Sequence, residues 1–162
     1  MRKTNQEIKD KSILEEILLS SKICRLGMID NGLPYVLPFN FGFHENCIFI
    51  HSAPEGKKID ILKKNPLVCF EVEDHAEIIE DEVACKWSTF YRSVVGYGNV
   101  EIVTGFEEKK RGLEVIMKQH EFKGKMEFEP KEVEFVVILK LQIESMTGKQ
   151  SSNWNRLRGI NN

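Results

Sequence analysis

The chain has 162 residues, of which 41% are hydrophobic and 30% charged, and its formal net charge at pH 7 is −2. This length and composition predict a single globular domain over 1–162 whose core needs no disulfide bonds. The near-neutral charge gives no reason to expect nucleic-acid or membrane binding. No apolar run approaches the roughly 18 residues of a membrane span, and the polar N-terminus does not resemble a secretory signal. We therefore expect a cytoplasmic protein.

The four cysteines are 16 to 23 residues apart and include no C-x-x-C pair. In an intracellular chain this spacing predicts neither a disulfide framework nor a zinc site. Three of the cysteines fall in strand-like runs and are expected to be small buried hydrophobic residues, whereas Cys85 falls in a polar loop. We expect no metal site.

Three segments carry apolar residues at helical spacing. The first opens with a capping box, in which Ser12 is followed three residues later by Glu15. The second stops at Asn65-Pro66, because proline disfavours continuation of a helix. The predicted helices span 12–22, 57–64 and 106–120.

Strands are indicated where the apolar period changes to two. Asn31-Gly32 lies between two apolar runs and predicts a hairpin turn, and a second tight turn is expected at 44–46. Together these turns predict a three-stranded antiparallel meander over 23–53. Further strands are predicted over 67–74, 87–104 and 132–146.

Tight turns between neighbouring strands predict an antiparallel sheet, which has to curl or close to protect its edges. The expected fold is mainly β, a small barrel of about six antiparallel strands with peripheral helices. The acidic stretch that ends at Glu82 lacks the spacing of a metal site and predicts a solvated loop. Residues 147–162 are expected to form a C-terminal tail, which is basic and contains no acidic residue.

Candidate binding residues first occur in the strand 34–43. Its odd-numbered residues, from Tyr35 to Phe43, are large and apolar and predict the core face. The opposite face carries Pro38 and Asn40, and proline cannot donate to a sheet ladder, so it indicates an edge or a bulge. This face is either an exposed sheet surface or one against which a flat ligand lies.

The second candidate is the stretch IFIHSAPEGKK, in which a strand ends in a polar pair, His51 and Ser52. A helix then begins with Lys57 and Lys58. Because a helix N-terminus presents free N–H groups and a positive dipole end, a lysine pair there favours binding of a phosphate. The alternative is an ordinary polar strand end, with His51 structural or exposed.

The third candidate is the strand that contains Arg92, Gly96 and Gly98 on one face and Ser93 on the other. Glycine weakens a strand unless something approaches closely, so these residues indicate either a nearby ligand or a barrel corner.

Three sequence stretches resemble the pyridoxamine 5'-phosphate oxidase-like FMN-binding split-barrel superfamily, and within it the branch of 5-nitroimidazole resistance proteins. They are CRLGMIDNGLPYVLPFNFGF, IFIHSAPEGKKIDILKKNPLVCFEVE and YRSVVGYGNVEIV. Together with the final strand and MTGKQS, the resemblance spans residues 8–151. It implies a split-barrel homodimer with FMN at the subunit interface.

By position, the resemblance also implies the residues of the site. Ser52, Lys57 and Lys58 would hold the FMN phosphate, in agreement with the charge argument above. His51 matches a position that carries chemistry near the flavin, where an imidazole could donate a proton. The residues that would line the isoalloxazine or complete the cofactor site are Pro38, Phe39, Asn40, Arg92, Ser93 and Val94.

The implied function is an FMN-dependent oxidoreductase that passes electrons from NAD(P)H or another donor to a small acceptor such as a nitroaromatic compound. The alternative is a flavin or haem binding protein or sensor of the same fold without turnover. Trp154, Arg156 and Arg158 resemble the substrate-gripping end of true pyridoxamine phosphate oxidases. With no other support for that activity, they are expected to be a disordered or interface tail.

Overall fold

The computed structural model describes residues 4–152 and 154. The described residues form one sheet of eight strands, all antiparallel, with four α-helices around it. The strands are β1 (Glu7–Ile8), β2 (Ile23–Asp30), β3 (Leu33–Asn40), β4 (Gly42–His44), β5 (Cys47–Ser52), β6 (Leu67–Ile79), β7 (Ser88–Val103) and β8 (Val137–Gln150). The helices are α1 (Lys11–Ser20), α2 (Lys57–Lys64), α3 (Phe106–Gln119) and α4 (Pro130–Glu134).

The strand order is β3-β2-β6-β7-β8-β5-β4, with β1 paired to β8. The mainly β, antiparallel fold with peripheral helices is therefore confirmed. It has two strands more than the expected six, and β1 and β4 are only two and three residues long.

The main core fills the concave side of the sheet and is covered by α1 and α2. Alternate residues of β2, β6 and β7 point into it, among them Leu26, Phe70 and Val94, which are fully buried. A smaller apolar cluster lies between α3 and the outside of β5, β7 and β8, around Ile116 and Ile138. The helices thus cover both apolar surfaces of one curved sheet.

The predicted meander over 23–53 is confirmed in its two pairings, β2 with β3 and β4 with β5, but its middle strand is broken into β3 and β4. β2 lies between β3 and β6, whereas β5 pairs with β8 and β4 at the other end of the sheet. The apolar run breaks at Phe41, which is fully buried, and Gly42 then packs against the α3 backbone, where a Cβ atom would lie 2.7 Å from Ile116 N. The two turns themselves are confirmed, with positive φ angles at Asn31, Gly32, Glu45 and Asn46.

The bounds of α2 agree with the prediction, and α3 ends one residue earlier than expected. The capping box of α1 is wrong: the N-cap is Asp10, whose Oδ1 accepts hydrogen bonds from Ser12 N (2.9 Å) and Ser12 Oγ (2.7 Å). These bonds hold the pKa of Asp10 below its ordinary value. The helix therefore starts at Lys11 and ends at Ser20, two residues before the expected end.

Two further boundaries differ from the sequence prediction. β6 continues to Ile79, so most of the acidic stretch belongs to a strand rather than to a solvated loop. The final strand begins only at Val137, because Pro130 starts the short helix α4, where Lys109 Nζ donates to the carbonyls of Val133 (2.7 Å) and Val136 (2.8 Å).

The expected tail over 147–162 begins later than predicted, because β8 extends to Gln150. Trp154 is buried, which corrects its assignment to a disordered or interface tail. Arg156 and Arg158 lie outside the described residues. None of the described helices is long and apolar enough to cross a membrane, and the cytoplasmic location stays a prediction.

Candidate functional site

The exposed backbone edge of β3 is the first component of the site. Asn31 (φ 51°) and Gly32 (φ 84°) form the type I′ turn that pairs Asp30 with Leu33. With this register, the odd-numbered residues of β3 bond to β2, and the even-numbered residues direct their backbone groups to the free edge. Since proline has no N–H, the edge offers only two N–H donors among its residues Pro34, Val36, Pro38 and Asn40.

The end of β5 and the start of α2 both lie near β3. Gly42, just after β3, pairs with Phe49 of β5. Cα atoms of β3 and β5 approach within 8 Å. At the other end, Lys57 Nζ lies 4.7 Å from the centroid of the Tyr35 ring. From Tyr35 to Asn40, β3 extends about 17 Å at roughly 3.4 Å per residue.

His51 and Ser52 project to opposite faces of β5, as the alternation predicted. His51 is exposed on the face that carries Phe49, beside α3. Ser52 is buried and its Oγ donates to the carbonyl of Ala53 at 3.0 Å. The two residues therefore lie together in the chain but face different surroundings.

The N-terminus of α2 has the donors that an anion needs. Its N-cap is Gly56 (φ 110°), which has no side chain to accept hydrogen bonds from the first-turn N–H groups. Lys57 is exposed and Lys58 half-buried at this end. Uncapped N–H groups and two ammonium groups match the chemistry of a phosphate, so the donor set fits the phosphate end of a flavin mononucleotide.

The sequence prediction missed a carboxylate at this position. Lys57 Nζ forms an ion pair with Asp30 Oδ2 at 3.0 Å, with the Tyr35 ring below it. Asp30 belongs to the Asp-Asn-Gly turn and had no role in the sequence prediction beyond that turn. Only the close packing of α2 on the end of β2 brings the two residues together.

The residues Arg92, Ser93 and Val94 lie on β7, three strands away from β3. Val94 is fully buried in the core and Arg92 is 5% exposed, whereas Ser93 is on the outer face and pairs with Glu73 and Lys149. Whether these residues contact a cofactor stays a prediction.

The Arg92 side chain is fully engaged within the protein. Its Nε donates to both carboxylate oxygens of Asp74 at 3.1 Å, and its Nη2 donates to Asp74 Oδ2 and, at 2.9 Å, to Glu16 Oε1. The Trp154 ring lies 4.7 Å from the guanidinium carbon. Burial alone lowers the pKa of Arg92, but the hydrogen bonds to the two carboxylates raise it above the ordinary value. A bulge in the pairing of β6 with β7 lies between Glu73 and His75, at Asp74, and no sequence signal located it.

Gly96 and Gly98 are required by packing within the protein. A Cβ atom at Gly96 would lie 2.4 Å from the Phe70 ring, and one at Gly98 would lie 2.0 Å from the carbonyl oxygen of Gln142. The register of β7 with β8 also shifts between Tyr97 and Gly98. These contacts within the protein account for both glycines, and the register shift marks an irregularity of the sheet at Gly98.

The outer face of the sheet carries an apolar row across four strands. Val36 pairs with Gly27, Gly27 with Cys69, and Cys69 with Tyr97. The exposed fractions are 57% for Val36 and 53% for Tyr97, which is high for large apolar residues. Further exposed apolar residues with the same alternation are Ile29, Leu67 and Val95.

A cavity of about 560 Å³ lies elsewhere, between α1, β4 and α3, where Phe43, Lys118 and Gln119 line it. It contains none of the residues predicted for the cofactor site. Of the residues that the sequence singled out on β7, Ser93 lies on the outer sheet face and Arg92 and Val94 lie in the interior, whereas the others belong to β3, the end of β5 and the start of α2.

Comparison with known proteins decides the family. The family model described as pyridoxamine 5'-phosphate oxidase matches residues 10–150. The chain belongs to this family. Among solved structures, a proposed 5-nitroimidazole antibiotic resistance protein from Bacteroides thetaiotaomicron is 33% identical, with a TM-score of 0.79 over 88% of this chain and 85% of that one. No match was found among curated proteins.

More distant structures share the fold of this pyridoxamine 5'-phosphate oxidase family member. A flavocytochrome from Azotobacter vinelandii is 20% identical, with a TM-score of 0.77 over 90% of this chain and 69% of that one. An FAD and haem binding protein from Mycobacterium smegmatis is 18% identical, with a TM-score of 0.77 over 92% of this chain and 75% of that one.

Proposed function

We propose that this protein is an FMN-dependent oxidoreductase that reduces small oxidised acceptors such as nitroimidazole or other nitroaromatic compounds. The observation that carries the proposal is that β3 lies close to two other groups: its Cα atoms approach those of β5, which ends at His51 and Ser52, within 8 Å, and Lys57 at the start of α2 lies 4.7 Å from the Tyr35 ring. The 33% identity to a proposed nitroimidazole resistance protein supports the acceptor class. Bound there, the flavin would supply the electron transfer, with NAD(P)H or another carrier as donor.

In this proposal, the phosphate binds at the end of the β3 edge that lies near Lys57 and Lys58. Lys58 and the uncapped N–H groups of α2 offer charge-assisted donors, which are stronger than neutral ones. Ser52 lies between this end and His51, and its buried hydroxyl already donates to Ala53, so it contributes as an acceptor or through its backbone.

The Asn40 end binds the ring system. Pro38 and Asn40 face outward, and the N–H of Asn40 is one of the two donors left on the edge. Phe39 turns its side chain towards the core, so it serves the flavin through its backbone and by fixing the strand.

His51 is the proton donor to the acceptor in this proposal. Its imidazole is exposed at the end of β5, a strand whose Cα atoms approach those of β3 within 8 Å. An imidazole can both hold and release a proton during turnover, as a general acid must.

We further propose a homodimer with the flavin between the subunits. Ser93 and Asn40 face the same side of the sheet but are three strand spacings apart, about 14 Å. A second copy that packs on the apolar row could bring its own Ser93 to the β3 edge. Sedimentation velocity should therefore give a dimer, and Tyr97→Glu should yield a monomer with weaker flavin binding. A wild-type monomer that binds flavin fully would contradict the interface site.

The absorbance spectrum of the purified protein tests the cofactor, together with mass identification of what it releases on denaturation. A flavin spectrum and released FMN support the proposal, and oxidation of NAD(P)H by the loaded protein with a nitro compound supports the enzyme. The relation to a flavocytochrome and a haem binding protein favours a non-catalytic flavin or haem carrier as the second candidate. Bound haem, or flavin without turnover, would support that candidate. If the purified protein is colourless and FMN does not raise its melting temperature, both candidate functions are excluded.

A further inference from the structure

Lys57 is held by a carboxylate of its own chain. Its Nζ lies 3.0 Å from Asp30 Oδ2 and 4.7 Å from the centroid of the Tyr35 ring. The other carboxylate oxygen, Asp30 Oδ1, accepts a hydrogen bond from Asn31 Nδ2 at 3.0 Å. The carboxylate is therefore fixed by the hairpin turn, and the ammonium group comes to it from the start of α2.

The exposure of the pair allows the lysine, but not the aspartate, to change partner. The Lys57 side chain is 58% exposed, whereas that of Asp30 is 27% exposed and is tied to the rigid type I′ turn. An exposed ion pair of this kind favours the paired state by up to about fivefold in equilibrium terms. A lysine on a flexible four-carbon stem can leave such a partner for a stronger anion without a large cost.

The charges around Lys57 determine how strongly this exchange of partners affects phosphate binding. The segment from Glu55 to Asp60 contains two lysines and two acidic residues, and Asp30 adds a third negative charge against Lys57. The start of α2, where the phosphate would bind, therefore has no excess of positive charge when Asp30 is counted. A dianionic phosphate that binds there has to displace or tolerate this carboxylate.

From this arrangement we propose that Asp30 is a specificity-determining residue that competes with the phosphate of the ligand for Lys57. The inference rests on the proposed flavin site and deepens it. While the site lacks a phosphate, Asp30 neutralises Lys57 and keeps its ammonium group above Tyr35. When a phosphorylated flavin binds, Lys57 transfers its hydrogen bond from the carboxylate to the phosphate, so Asp30 lowers the affinity for FMN and leaves that for riboflavin unchanged.

The test compares Asp30→Asn with the wild type for FMN and riboflavin, by titration of flavin fluorescence at low salt. Asparagine keeps the oxygen that Asn31 binds, so the turn is retained while the negative charge is removed. FMN affinity should rise two- to fivefold, the rise should shrink in high salt, and riboflavin affinity should not change. Asp30→Glu retains the charge and should bind FMN within twofold of the wild type.

Asp60→Asn is the matched control, because Asp60 is exposed in the first turn of α2 and forms no ion pair among the described residues. It removes the same charge near the lysines, and its effect on FMN should be clearly smaller. Equal or weaker FMN binding by Asp30→Asn would overturn the inference, as would an equal rise for riboflavin or for the control. A wild type that binds neither FMN nor riboflavin would overturn the proposed function itself. A wild type that binds FMN no more weakly than Asp30→Asn does would overturn only the inference about Asp30.

Discussion

Arg92 and Asp74 form an ion pair in the interior of the protein, with only 6% and 5% of their side chains exposed. Asp74 also accepts a hydrogen bond from Ser20 Oγ at 2.9 Å, and Arg92 reaches Glu16, so the pair connects α1 to β6 and β7. Removing one member leaves a buried charge without its partner, which is far more costly than losing an exposed pair.

Asp74→Asn should lower the free energy of unfolding by about 3 kcal/mol, because the Arg92 charge stays buried with only Glu16 to compensate it. Urea denaturation measures this difference. The control is Arg25→Met, whose exposed pairs with Glu71 and Glu73 should contribute less than about 1 kcal/mol. Similar losses of unfolding free energy in both variants would show that the interior pair stabilises the fold no more than the exposed pairs do.

Trp154 should stabilise the fold although it lies after the last strand. It is buried, stacks on Phe90 at 4.4 Å between ring centroids and covers Arg92. Trp154→Ala should therefore cost about 3 kcal/mol in thermal or urea unfolding. Trp87 is 56% exposed, and Trp87→Ala should change stability by less than about 0.5 kcal/mol. The residual emission in Trp87→Ala should be that of a buried indole, and a water-exposed spectrum would contradict the packing.

Lys58→Ala should weaken FMN binding about tenfold, since a charge-assisted hydrogen bond to the phosphate is lost. Riboflavin, which has no phosphate, should bind the variant and the wild type equally. Lys63→Ala removes an exposed lysine at the other end of α2 and serves as the control. Equal FMN affinity in Lys58→Ala and wild type would remove Lys58 from the proposed phosphate site.

His51→Ala should retain bound flavin but lower the rate of nitro-compound reduction about 100-fold, the usual scale for loss of a general acid. Stopped-flow spectroscopy separates flavin reduction by the donor from reoxidation by the acceptor, and only the second step should slow. His44→Ala, at the exposed end of β4, is the matched control. If both variants keep the wild-type rate, the imidazole of His51 takes no part in the reaction.

The thiols of Cys24 and Cys85 should react with an alkylating reagent at different rates at pH 8. Burial raises the pKa of Cys24 to about 12, so at pH 8 roughly one thiol in 10,000 is ionised. Cys85 is exposed, and iodoacetamide at this pH should modify it first, while Cys24 stays unmodified until the protein unfolds. Peptide mass spectrometry follows both sites, and early labelling of Cys24 would contradict its burial.

Local signals predicted most elements of the fold. Asn31-Gly32 set a two-residue turn, Asn65-Pro66 ended α2, and alternation put Arg92 and Ser93 on opposite faces of their strand. Each of these depends on neighbours in the chain. The pairing of β2 with β6 does not depend on chain neighbours, because it joins residues more than 40 positions apart. It also requires β5 to pair with β8 at the other end of the sheet.

The candidate site could be proposed from the sequence because motif order and a family resemblance both apply to continuous stretches. The structure places Lys57 beside β3 but Arg92, Ser93 and Val94 three strands away from it, and the roles of these residues stay predictions. The sequence could not locate the carboxylates that pair with its lysine and arginine, namely Asp30, Asp74 and Glu16. Those contacts arise from a helix docking on a strand end and from a bulge, and neither has a pattern in the residues themselves.

The two prolines of β3 have a consequence for the behaviour of the protein in concentrated solution. An edge strand with a complete row of N–H and C=O groups can template the addition of further strands and lead to aggregation. With Pro34 and Pro38 spaced four residues apart, no incoming strand can form an uninterrupted ladder there. The same edge remains open to a small molecule, which needs only one or two of the remaining donors. Pro34 and Pro38 thereby limit strand addition at this edge, and the N–H groups of Val36 and Asn40 remain for the ligand of the proposed site.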